Sequence, residues 1–75
     1  MIDELLKIGF ETRNKKALKS INSLIKSIKE NKLDEKIINS FNFSISQCNI
    51  NIDLKRKIKE KSYILLYELI GKWDF

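Results

Sequence analysis

The chain is expected to fold as a mainly α protein, a small single-domain bundle of three to four helices spanning residues 1–75. Three observations lead there. Apolar residues recur at helical spacing through most of the 75 residues. There is no proline to interrupt the runs, and neither a repeat nor a Gly/Ser linker divides them. Asn14 and Asp34 stand at the heads of two periodic runs, where helix N-caps belong. The helices are placed at about 2–11, 14–31, 34–41 and 54–73.

The first run brings Ile2, Leu5, Leu6 and Phe10 roughly to one side of a short helix. The polar stretch Glu11 to Lys16 interrupts that stripe and predicts a bend, with Asn14 capping the next helix. From there Ala17, Leu18, Ile21, Leu24, Ile25 and Ile28 fall within an arc of about 120°, and Lys15, Lys19, Lys26 and Glu30 face the other way. This is a core helix with a solvated lysine face, ending near Asn31 and Lys32. Leu33 and Asp34 signal another start, with Asp34 as cap and Leu33 stapled to Ile38. The last helix is expected to begin near Asp53 or Leu54, with Leu54, Ile58, Leu65, Leu66, Leu69 and Trp73 as its core stripe.

The stretch from Phe41 to Leu54 supports more than one conformation. Its alternation of apolar and polar residues fits a short β-hairpin, with Phe41, Phe43 and Ile45 facing Ile50, Ile52 and Leu54 across the loop Ser46 to Asn49. As one continuous helix it would line up Phe41, Ile45, Cys48 and Ile52 and leave Phe43, Ile50 and Leu54 on the opposite side. That arrangement is poorly served by its Asn and Ser content. A third reading rests on the run from Ile37 to Ile52, which resembles a repressor-type helix-turn-helix over residues 34–54. The resemblance implies a left-handed turn at Asn42, Ser44 as cap of a recognition helix, and Ile38, Phe41, Cys48 and Ile52 at the apolar positions. It departs from the family's pattern at the bulky Ile38 and in lacking the turn glycine. It further implies DNA contacts from Ser44, Ser46 and Asn49, backed by phosphate contacts from Lys55, Arg56, Lys57 and Lys59.

Charge narrows the function classes. The formal net charge is +5. Ile, Lys and Asn dominate the chain, as AT-rich codons would produce, so the distribution says more than the total. The segment 55–61 alone carries five cations against one carboxylate. With no histidine and a single cysteine, neither an intramolecular disulfide nor a zinc site is expected, and no metal or other cofactor is implied. The same absence removes the commonest general base, and Gly9 and Gly71 cannot form a phosphate loop, so catalysis is not expected. Cys48 has no neighbouring cation or base in sequence and reads as a small buried thiol. The acidic start Met1-Ile-Asp-Glu is unlike a signal peptide, and the longest apolar run, Tyr63 to Tyr67, is too short to span a bilayer; a cytoplasmic location is expected.

What remains is binding. On the last helix, opposite its core stripe, Arg56, Lys59, Tyr63, Tyr67 and Ile70 share about 80° of arc. Cations interleaved with tyrosine make a contact surface by composition. With Ile64 also off the core stripe, the second half of that helix is apolar nearly all round, which calls for deep burial or an intermolecular contact. The expectation is a small non-enzymatic regulator or inhibitor that binds a macromolecular partner stoichiometrically. A protein with an acidic surface is the favoured partner. The alternative is a helix-turn-helix DNA-binding regulator. Self-association would supplement a thin core, whereas membrane attachment through Trp73 and Phe75 is not expected. Small regulators of mobile elements share this compact, non-catalytic character.

Overall fold

In the computed structural model, residues 2–73 are described, without the side chains of Ile70, Lys72 and Trp73. They form four helices: α1 (Ile2–Thr12), α2 (Lys15–Lys29), α3 (Glu35–Ser46) and α4 (Ile52–Trp73). Each helix packs against its neighbours in the chain, and α1 closes the ring by packing on α4. Trp73, expected in the core stripe, has its side chain outside this description, and Phe75 lies beyond it.

Short, well-capped connections set this order. The side-chain oxygen of Asn14 accepts from the Ala17 amide at 3.0 Å, and that of Asp34 accepts from the Ile37 amide at 2.8 Å, so both expected caps form. Helix α2 ends in a Schellman motif: Asn31 turns left-handed at φ 56°, its amide donates to Ile28, and the Lys32 amide donates to Ser27. Asparagine tolerates that conformation. Arg13, between α1 and α2, adopts the same region at φ 52° without any such aptitude.

The core joins all four helices: Leu5 and Ile8 of α1, Ala17, Ile21, Leu24 and Ile25 of α2, Ile38, Phe41 and Ile45 of α3, Cys48, and Ile58 and Leu65 of α4. The α2 stripe and its lysine face stand as expected. In α1 the stripe is rotated from the expected one. Phe10 is exposed, and Ile8 and Gly9 are buried in its place. Gly9 explains the rotation, because a Cβ there would lie 3.0 Å from Leu18 Cδ1 and 3.2 Å from Ile21 Cδ1. The bare backbone is the surface on which α2 rests.

The stretch 41–54 corrects the expectation most. No hairpin forms there. Helix α3 runs past Phe41 to Ser46, a connection occupies 47–51, and α4 starts at Ile52, with the Asn51 side chain accepting from the Asp53 amide at 2.7 Å. The turn expected at Asn42 is therefore absent: Asn42 is an interior helical residue, and Ser44 caps nothing. The Asn and Ser content lowers helix propensity, but Ile38, Phe41, Ile45 and Cys48 fall on one face and are all buried. Tertiary burial outweighs local preference here. Ile52, placed on that face by both helical readings, is instead 70% exposed, because the chain breaks before reaching it.

Candidate functional site

Helix α3 can continue through Phe41 only by turning Phe43, two residues on and about 200° round, away from the core. Phe43 is accordingly 67% exposed. Beyond the connection, Ile52 emerges at the head of α4 near it, and Lys55, Arg56 and Lys59 follow on the next two turns. Together with Asn42, Ile45 and Ser46 these residues line an open groove of about 490 Å³ between α3 and α4. Its apolar walls are Phe43 and Ile52, its cations are Lys55, Arg56 and Lys59, and no carboxylate among the described residues lines it. The Lys55 ammonium donates to the Ser46 carbonyl at 3.3 Å and ties the end of α3 to the first turn of α4.

Lower down, the two helices are joined by a polar contact inside the core. Ser62 is fully buried at a position on the α4 stripe between Ile58 and Leu65. Its Oγ lies 2.7 Å from the Asn42 side-chain oxygen and 2.7 Å from the Lys59 carbonyl. A hydroxyl has one proton, so Ser62 donates in one contact, and Asn42, with its amide turned over, donates in the other. This pairing fixes the register of α4 against α3 and thus the width of the groove above it. On the far side of α4, Lys61 forms an ion pair with Glu4 of α1. The Lys61 ammonium, by hydrogen bond and by charge, holds the Glu4 carboxyl below its usual range.

The residues expected to bind a partner divide as follows. Arg56, Lys59, Tyr63 and Tyr67 are exposed and form one line along α4, with Tyr63 at 45% and Tyr67 at 72%. The side chain of Ile70 lies outside the described residues. Ile64 is also exposed, so the outer half of α4 is not buried by the rest of the chain. Of the residues expected to contact nucleic acid, Ser46, Lys55, Arg56 and Lys59 line the groove, and Ser44, Asn49 and Lys57 stand outside its lining. Ser44, Ser46 and Asn49 are exposed on α3 and the connection, and Lys57 is exposed on α4. However, the Ser46 hydroxyl donates back to the Phe43 carbonyl at 2.6 Å, and Lys55 is half-buried against Ser46. Lys55 and Lys57 project about 200° apart around α4.

Helical spacing put Arg56 and Lys59 on the outer side of α4, where they stand, but did not bring Phe43 and Ile52 beside them. The signal existed in the continuous-helix reading, which put Phe43 opposite Phe41. Nothing in the sequence signalled the Asn42–Ser62 contact except a serine interrupting an apolar stripe. Cys48 is buried, as expected, its thiol donating to the Ser44 carbonyl at 3.3 Å. Among the described residues no helix is long and apolar enough to cross a membrane, and no group of three or more His, Cys, Asp or Glu comes together. Compared with known proteins, the chain matches no family model, no curated protein and no solved structure.

Proposed function

We propose that this protein is a non-enzymatic regulator or inhibitor that binds stoichiometrically to a protein with an acidic surface. The observation that carries this reading is the outer line of α4: Ile52, Arg56, Lys59, Tyr63 and Tyr67 stand exposed along one side of a helix whose other side is in the core. Among the described residues, five of the six exposed large apolar side chains lie on α4 or, like Phe43, against its groove. Contiguous apolar surface rimmed by charge marks interaction sites, and tyrosine and arginine are the side chains that most often anchor them. The groove cations Lys55, Arg56 and Lys59 select a partner of opposite sign and speed its encounter.

A photo-crosslinking residue at Tyr63 or Tyr67, exposed to extract of the native host, tests this. One dominant protein partner, captured at fixed stoichiometry and lost in Arg56→Glu/Lys59→Glu, is the expected result. Equal capture from a crosslinker at Lys16, on the outer face of α2, would overturn it.

The basic run supports a second reading, a DNA-binding regulator using residues 34–54 together with Lys55, Arg56, Lys57 and Lys59. It is less favoured because Lys57 points away from the other three cations, and Phe43 and Ile52 would stand against phosphate. Gel shifts with duplex DNA in graded salt discriminate the two. Binding that weakens steeply between about 50 and 200 mM salt and is abolished by Lys55→Glu/Arg56→Glu would displace the first reading.

A further inference from the structure

We propose that the groove between α3 and α4 seats one acidic amphipathic α-helix of the partner, about four turns long, with an apolar side chain inserted between Phe43 and Ile52. The proposal rests on the binding reading above and specifies the form of the acidic surface.

The shape favours an extended occupant over a small ligand. A pocket that binds a small molecule encloses most of it. Here Phe43 and Ile52 project as walls, about two-thirds exposed, and leave the groove open along its length. A groove between two packed helices with projecting apolar walls suits a third helix presenting residues at i, i+3, i+4 and i+7. Its length follows from α4. From Ile52 to Tyr67 the exposed line rises through fifteen steps of 1.5 Å, about 22 Å in all, which matches a helix of about four turns. The two ends of this track differ. Lys55, Arg56 and Lys59 lie in the groove, whereas Tyr63 and Tyr67 stand beyond its lining on the same side of α4. The occupant therefore carries its carboxylates at one end and large apolar or aromatic side chains at the other.

Charge decides between the remaining occupants. A second copy of this chain would bring its own +5 against the same three groove cations. Duplex DNA would satisfy the cations but set phosphates against Phe43 and Ile52, which gain from apolar contact and not from phosphate. An acidic amphipathic helix satisfies both halves of the chemistry.

Fluorescence anisotropy of the intact protein with a labelled synthetic peptide of about 15 residues tests this. The peptide has leucine and phenylalanine on one face and glutamates flanking one end. Expected is saturable binding at equal stoichiometry that falls about tenfold in Phe43→Ser, in Ile52→Ser and in Arg56→Glu, and stays unchanged in Lys16→Glu. All these positions are exposed, so the variants keep the fold, which circular dichroism verifies. Equal binding of a peptide with the same composition but no apolar face would overturn the proposal, since charge alone would then account for the signal. So would unchanged affinity in the groove variants, displacement of the peptide by a second copy of the chain, or tighter binding of duplex DNA. Partner capture from Tyr63 or Tyr67 that persists in Phe43→Ser would refute the groove while leaving the broader binding reading intact. Loss of specific capture in the unmodified protein would remove both.

Discussion

In the α1–α2 hairpin a two-residue connection and the bare backbone of Gly9 bring the helices so close that a Cβ would lie 3.0 Å from Leu18. In the α3–α4 hairpin a five-residue connection separates the helices in sequence and a serine–asparagine contact joins them, while Phe43 and Ile52 stand in solvent. Apart from the exposed Phe10, the first pair uses its large apolar residues to stabilise the fold. The second leaves several of its largest unused by the fold. A chain of this size has few apolar residues to spare, so where they remain uncovered is informative about binding.

Substitution effects on stability break or sharpen this contrast. The largest is expected at Ile21, fully buried where α2 meets α1. Ile21→Ala should cost about 2–5 kcal/mol and leave much of the protein unfolded, as urea titration would show. By contrast, Phe43→Ser or Ile52→Ser should change stability by no more than about 0.5 kcal/mol. A loss at Phe43 comparable to that at Ile21 would mean the groove belongs to the core after all. Next comes the polar contact. Ser62→Ala should cost about 1–3 kcal/mol by stranding the Asn42 amide, whereas Asn42→Leu with Ser62→Ala should recover most of that loss. A thermal-denaturation double-mutant cycle checks the coupling.

A gain is expected in the first hairpin. Arg13→Gly should raise stability by about 1 kcal/mol, because glycine occupies the left-handed region at no steric cost. Smallest is the clasp between the two hairpins. Glu4 has its pKa lowered by Lys61, so its contribution is present above the usual carboxylate range and disappears as pH falls through the lowered value. Glu4→Gln should therefore lower the melting temperature slightly at neutral pH, and the difference should vanish in acid and in high salt.

The helical class, both N-caps and the whole α2 face could be read from sequence because local signals and burial agree there. They disagree at 41–54. Period-two alternation and Asn/Ser content point to a strand or turn, and only the packing of Phe41, Ile45 and Cys48 on the other helices settles the segment as helix up to Ser46. The candidate site was half legible for the same reason. Arg56, Lys59, Tyr63 and Tyr67 share a helix, so their common side follows from spacing. Phe43 joins them only through the α3–α4 contact. The rotation of α1 was hidden in Gly9, whose lack of a side chain carries no hydrophobic signal but permits close approach.

The lone thiol of Cys48, in the connection between α3 and α4, closes the turn of chain that ends α3, shielded from water. A thiol reagent can reach it only when that corner of the molecule breathes, so the rate of its modification is a clock for local opening. Anything that clamps the two helices together should slow that clock, with no label added and no residue changed.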